Sequence, residues 1–300
     1  MCDIIFLVIN MKKCTMCPRK CNIDRSLTKG FCGSDDKIKI GKVMLHHWEE
    51  PILAKKNSGA IFFSNCPLKC IFCQNYEISQ EGRGKDITVN ELVDIMKMLE
   101  AKGAENIDLV SPTQYTDQIV EALRIYKPNI PVVWNSNGYE SVESLEKLRG
   151  LIDIFLPDFK YASDKLSLEY SRCGDYFEVV TKALIKMREL CPDDIYVGDK
   201  LIKGLIVRHL VLPSSFLNTK LVLKWIKNNL GENTIISVMS QYVPHYLSKT
   251  HNVLSKTISK QEYKKVEKLV FELGFENGFL QELSSADDCY IPDFEEDYGI

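Results

Sequence analysis

Six short apolar runs, each followed by a stretch with helical spacing, recur along most of this chain, and that alternation leaves few architectures open. The runs fall at 59–64, 106–110, 132–135, 152–156, 204–212 and 234–239. Helical stretches follow at about 89–102, 115–127, 141–149, 175–191, 216–230 and 260–273. The first shows the signals in full. Thr88 is placed to cap it, Glu91 is the capping-box partner, Leu92, Ile95, Met96 and Leu99 keep a 3.6-residue period, and Gly103 closes it. Strand and helix in turn give a parallel sheet with right-handed crossovers, here of six units. Such folds place their chemistry at the carboxyl ends of the strands.

The first strand end carries Cys66, Cys70 and Cys73, in C-P-L-K-C-I-F-C, before the polar turn Gln74-Asn75-Tyr76. Three thiolates at this spacing can fold around one corner of a cubane iron–sulfur cluster and leave the fourth iron free. Electron carriers use four cysteines per cluster. Three ligands and a vacancy match a cluster that does chemistry, as the open position does at a catalytic zinc. Against this, eleven cysteines in 300 residues fall close together by chance now and then, and free cysteine is often plain core packing. The strand-end placement favours metal. A second set, Cys14, Cys17, Cys21 and Cys32, reads C-T-M-C-P-R-K-C and then Gly30-Phe31-Cys32-Gly33. Four thiolates among turn residues suit a structural zinc or an auxiliary iron–sulfur cluster, with free thiols as the bland alternative. So short and polar a segment buries little core, and a metal would staple it. Cys2, Cys173, Cys191 and Cys289 have no such spacing and read as core or surface thiols.

Length fits one domain with an appendage: a cysteine-rich metal-binding segment over 11–50 and a barrel over 51–300. A net charge of −3 and scattered Lys and Arg exclude a general nucleic-acid binder. Residues 1–10 are apolar over too few positions to span a bilayer, and Lys12-Lys13 follow the run where a signal peptide would have charge before it. They read as an edge strand, or as the product of an upstream start codon with Met11 the natural beginning. A cytoplasmic protein with no membrane partner is expected, with reduced cysteines that favour metal over disulfide.

The C-x3-C-x2-C pattern with Phe72 before its last cysteine resembles the signature of the radical S-adenosylmethionine superfamily. More of the chain is similar to a branch described as related to pyruvate formate-lyase activating enzyme. The similar stretches are the opening C-x2-C-P-R-x-C, His46-His47-Trp48-Glu49-Glu50-Pro51, Q-N-Y-E-I-S after Cys73, and the ending Gly278 to Asp287 with Tyr290 to Phe294. The resemblance implies an α/β fold, a partial (β/α)6 TIM-like barrel open on one side. It implies a 4Fe-4S cluster on Cys66, Cys70 and Cys73, with S-adenosyl-L-methionine on the fourth iron. One electron from the cluster cleaves that cofactor to methionine and a 5′-deoxyadenosyl radical, which takes hydrogen from a substrate. It further implies an oxidoreductase, a reduced flavodoxin or ferredoxin as electron donor, and a protein or peptide glycine as substrate. Phe72, with Phe62 and Phe63, would keep the site dry.

The other strand ends supply candidates to hold the cofactor. Relatives often carry a G-G-E-P segment after the second strand; here Ser111-Pro112-Thr113 stands instead. Ser111 and Thr113 hydroxyls, or backbone carbonyls, can accept in its place, or the residues simply start a helix. Asn135-Ser136-Asn137-Gly138 resembles a T-N-G segment near the ribose or methionine; Asn137-Gly138 is also a good tight turn. Asp158 and Lys160 resemble the D-x-K of activating enzymes and point to one face, where they either pair or touch ligand. Arg208 interrupts an apolar strand and needs a carboxylate, from the protein or the cofactor. His209 points the other way and reads as structural. Gln241 and Tyr242, less so His245, stand where the adenine is expected. The competing functions are radical modification of another peptide or a small molecule, a non-catalytic iron–sulfur electron carrier, and a zinc-dependent binding module on the front cysteines.

Overall fold

The computed structural model describes residues 13–47, 50–281 and Phe294. The expected edge strand at 1–10, Trp48 and Glu49, Cys2 and Cys289, and the closing motif past Gln281 (Phe294 apart) lie outside the described residues. The strands are β1 (Ile38–His46), β2 (Ser58–Phe63), β3 (Lys85–Ile87), β4 (Ile107–Val110), β5 (Val132–Ser136), β6 (Ile154–Pro157), β7 (Ile195–Val197), β8 (Lys200–Leu210), β9 (Ile235–Met239) and β10 (Gly278–Leu280). The helices are α1 (Tyr76–Ser79), α2 (Val89–Ala101), α3 (Thr116–Ile125), α4 (Val142–Glu146), α5 (Asp164–Ser171), α6 (Tyr176–Leu190), α7 (Phe216–Leu230) and α8 (Lys260–Leu273). All strands except β7 lie along one path, β3-β1-β2-β4-β5-β6-β8-β9-β10.

From β2 to β10 every neighbouring pair on that path is parallel. The six expected runs are β2, β4, β5, β6, β8 and β9, neighbours in chain order, as a partial TIM-like barrel requires. The structure adds antiparallel strands at the β2 edge, with β1 paired to β2 and β3 to β1. The segment over 11–50 therefore contributes its last strand to the barrel's own sheet. β8 starts earlier than expected because β7 folds back on it as a hairpin. Among the described residues no helix is long and apolar enough to cross a membrane.

Alternation along the strands divides the barrel interior into two levels. Val133, Ile154, Leu156, Ile206 and Ile235 form an apolar layer with Leu53. Two residues further along the same faces come Asn135 on β5, Asp158 after β6 and Arg208 on β8, so the layer changes from apolar to polar at the carboxyl ends. The helices bury the outer faces. α2 begins with the expected capping box, Glu91 N–H donating to the Thr88 hydroxyl at 3.2 Å and Thr88 N–H to the Glu91 carboxylate at 2.7 Å.

The turn after β5 holds the two polar strand ends together. Gly138 has φ +75°, and a Cβ there would run into the Asp158 carbonyl and Val180. Gly138→Ala is therefore expected to cost roughly 1–3 kcal/mol through backbone strain at the turn. A lowered urea midpoint with an unchanged slope checks this; an unchanged midpoint would refute it.

Candidate active site

The loop after β2 is pinned on several sides before its cysteines turn inward. Asn65 adopts φ +68° at the strand end, and its N–H donates to Ile78 O at 2.8 Å. Lys69 N–H reaches Ser171 O, Ile71 N–H reaches Tyr170 O, and Ser248 N–H reaches Ile71 O. Cys66, Cys70 and Cys73 thereby face one cavity, along with Phe62, Phe63 and Phe72. Burial pushes the Cys66 thiol up to about 12 and Cys73 up to about 11, and neighbouring cysteine charges push the same way. Cys70 is also raised by burial, against the pull of Lys160. Three soft donors that burial keeps from ionising alone fit a cationic metal cluster, whose charge reverses that balance.

A charged rail lines the same cavity, with Lys160 close enough to Cys70 for each to feel the other's charge. Lys160 Nζ donates to Asp158 at 2.5 Å, and Arg208 Nε to the other Asp158 oxygen at 3.3 Å. The Arg208 fork also donates to Asn135 Oδ1 at 2.6 Å, and Asn135 Nδ2 donates to Asp108 at 3.1 Å. Burial opposes the Asp158 carboxylate, yet the charges of Lys160 and Arg208 outweigh it and hold the group below its usual range. Lys160 is raised in turn, because the Asp158 charge overcomes its burial. Asp158 and Lys160 thus both pair with each other and line the cavity.

The structure brings most of the remaining candidates to this cavity. Ser111, Asn135, Asn137, Gln241 and Tyr242 all line it. Ser111 does so in a left-handed conformation, φ +56°. Gln241 is held by an amide donor from Gln281 at 2.7 Å. Thr113 departs from expectation: it is turned away, fully buried, and its hydroxyl donates to Glu140 at 2.7 Å. His245 does not line the cavity. His209 is structural as expected, bonded to Phe159 O and the Thr219 hydroxyl, and burial lowers its pKa to about 4. Cys173 and Cys191 are buried thiols.

Three residues that matter here gave no separate sequence signal. The Gln114 amide donates to the carbonyls of Ser64, Asn65 and Ser111, joining two strand ends. Glu140 accepts from Thr113 and from Trp134 Nε1 at 3.1 Å. Arg25 reaches from the front segment to Gln114 O at 2.6 Å.

Cys14, Cys21 and Cys32 lie close enough to Cys17 that their charges all oppose its ionisation. Burial first, then the charges of Cys32, Cys14 and Cys21, push its thiol up to about 12. Among the described residues, however, no three His, Cys, Asp or Glu side chains gather around a position for a single metal ion.

Residues 60–210 match the family described as the Radical SAM superfamily. An uncharacterized protein of Methanocaldococcus jannaschii is 31% identical over 266 residues, covering 85% of this chain and 73% of its own length. A second protein of that organism, provisionally named a glycyl-radical enzyme activating enzyme, is 32% identical over 140 residues, 46% of this chain and 57% of its own. Streptococcus suis SuiB, solved bound to precursor peptide SuiA, superposes with a TM-score of 0.50 at 14% identity, over 74% of this chain and 48% of its own. The hydrogenase maturase HydG of Carboxydothermus hydrogenoformans does so with a TM-score of 0.50 at 15% identity, over 75% and 54%. These two share the fold, and this chain spans about half their length.

Glu140 gives the site a pH signature independent of any cofactor. Burial raises its carboxyl to about 7, against hydrogen bonds that favour the anion. The folded state then binds a proton that the unfolded state has released, so stability falls as pH rises from about 4.5 to about 7. Glu140→Gln removes that term while keeping the acceptor for Thr113 and Trp134. Its stability relative to the parent protein is expected to improve by about 3 kcal/mol between pH 4.5 and pH 8. Urea unfolding of metal-free protein at both pH values checks this, and a difference independent of pH would refute it.

Proposed function

The chain belongs to the radical SAM superfamily, and we propose that it cleaves S-adenosylmethionine reductively at a 4Fe-4S cluster held by Cys66, Cys70 and Cys73. One observation supports this above the others: three buried thiols and the Lys160–Asp158–Arg208 rail face the same cavity at the carboxyl ends of parallel strands. When bound, the cluster and cofactor supply a 5′-deoxyadenosyl radical that takes hydrogen from the substrate.

The chain's own residues bind, orient and exclude water. Phe62, Phe63 and Phe72 wall the cysteine side with apolar rings. Arg208 and Lys160 are the cations for the cofactor's carboxylate or ribose, and Asp158 fixes both in place. Ser111, Asn135 and Asn137 offer neutral hydrogen bonds at neighbouring strand ends, and Gln241 offers an amide for the adenine edge. Thr113 acts at one remove, through the Glu140 bond that orders its turn. A non-catalytic electron carrier is disfavoured, since among the described residues no fourth cysteine lines the cavity beside these three.

For the substrate we propose a glycyl residue of a protein or peptide, on the strength of the name carried by the relative 32% identical over 140 residues. The electron donor would be a reduced flavodoxin or ferredoxin. The nine described cysteines are all free thiols, which supports a cytoplasmic setting. We further propose a second sulfur-ligated centre on Cys14, Cys17, Cys21 and Cys32. A tetrahedral zinc draws its sulfurs to about 3.8 Å of one another, from zinc–sulfur bonds of about 2.3 Å. An iron–sulfur cluster spreads its ligating sulfurs wider, and four thiolates suit either centre.

Protein reconstituted anaerobically with iron and sulfide, reduced and given S-adenosylmethionine is expected to release 5′-deoxyadenosine, read by chromatography. Cys70→Ala is expected to abolish it. A full, reducible cluster that releases none would sink the catalytic reading. The triple variant Cys66→Ala/Cys70→Ala/Cys73→Ala is expected to retain metal on the front cysteines. Iron with sulfide there would mark a cluster and zinc a structural site, and no metal would remove the second centre.

A further inference from the structure

We infer that Asn137, Ser171 and Ser79 are positioning residues that each aim one hydrogen bond at a cluster thiolate and together raise the cluster's reduction potential. The inference rests on the proposed ligation by Cys66, Cys70 and Cys73. Asn137 Nδ2 lies 3.3 Å from Cys66 Sγ, Ser171 Oγ lies 3.0 Å from Cys70 Sγ, and Ser79 Oγ lies 3.1 Å from Cys73 Sγ. The three come from separate elements: the turn after β5, the end of α5 and the end of α1.

Behind each donor stands another group that helps to orient it. Asn137 Oδ1 accepts Tyr139 N–H at 2.9 Å, which turns the amide nitrogen toward Cys66. A ligating thiolate only accepts, so Ser171 must donate to Cys70. A hydroxyl has one proton, so the contact at 2.7 Å between Ser171 and Tyr161 runs from the phenol to the serine. Tyr161 is fully buried, and burial keeps its phenol protonated. Gln80 Nε2 donates to Ser79 Oγ at 3.2 Å and to Leu68 O at 3.3 Å, which directs the Ser79 proton to Cys73. Three thiolates thus have three donors, each oriented by a neighbour.

A hydrogen bond to a thiolate withdraws charge from sulfur. It stabilises the reduced, more negative cluster more than the oxidised one, and so raises the potential. Burial around the thiols strengthens the effect, and two hydroxyls in series polarise each other. Serines that merely satisfied their own hydroxyls would leave the potential unmoved.

The test uses full-length protein with its cluster reconstituted, and reads the midpoint by anaerobic redox titration followed by EPR, with iron and sulfide counted. Ser171→Ala and Ser79→Ala are each expected to shift the midpoint negative. Tyr161→Phe, which leaves the ligands and Ser171 in place, is expected to shift it the same way by less. Tyr161→Phe/Ser171→Ala is expected to equal Ser171→Ala alone, because the phenol acts only through the serine. Full iron with unchanged midpoints would overturn the inference and leave the cluster standing. A parent protein that takes up no more reducible cluster than its Cys70→Ala variant would overturn both.

Discussion

Three thiols buried at one rim of a sheet cannot ionise together without a cation among them, and the site is built around that constraint. Burial raises each thiol, and each charge formed would raise the others. The surroundings respond in two ways. Aromatic rings wall the cysteines from water, which keeps the penalty high in the absence of metal. Lys160 and the backbone N–H groups of the loop lower it, and do so most when sulfur carries charge. A loop arranged in this way favours the ligated state of its cysteines over any free ionised state.

The same strands supply the barrel's packing and its chemistry by a change of residue type along one face. Val133 gives way to Asn135, Leu156 to Asp158 and Ile206 to Arg208, at a spacing of two. Buried charges persist only where further bonds satisfy them, and Asp158 meets that condition by engaging Lys160 and Arg208 at once. The pair also does structural duty. β6 and β8 share only the partners Ile154–Gly204 and Phe155–Leu205, with an isolated bridge from Asp158 to Arg208 above them. The ion pair closes the sheet at the level where the ladder has nearly ended.

Period and capping carried the parallel part of the fold into plain view. β2, β4, β5, β6, β8 and β9 each announce themselves as apolar runs, and α2 by its capping box. β1 was hidden because Gly41 and Lys42 break its alternation at a register shift, and β3, β7 and β10 are too short to show a period. The cysteines and the strand-end polar residues were legible because metal spacing and strand ends are local features. Thr113 was misplaced because its hydroxyl answers to Glu140, 27 residues on. Ser171 was invisible for a stronger form of the same reason: it meets Cys70 across 101 residues, from the end of an eight-residue helix.

The front segment reads as an appendage in sequence and as part of the site's wall in space. Cys32 O accepts Cys66 N–H at 3.4 Å. Arg25 donates to Gln114 O, and the Ser34 hydroxyl reaches Tyr115 OH, which also accepts from Asn65. Arg19 donates to Pro67 O and to Arg172 O while lying over the Phe31 and Tyr139 rings. Every one of these partners stands on or beside a loop that lines the cavity or holds a cysteine. A segment of turns with so little core of its own takes its order from what it grips. The proposed centre on Cys14, Cys17, Cys21 and Cys32 would pass further order, through Cys32 and Arg25, to the backbone that sets Cys66 and Ser111.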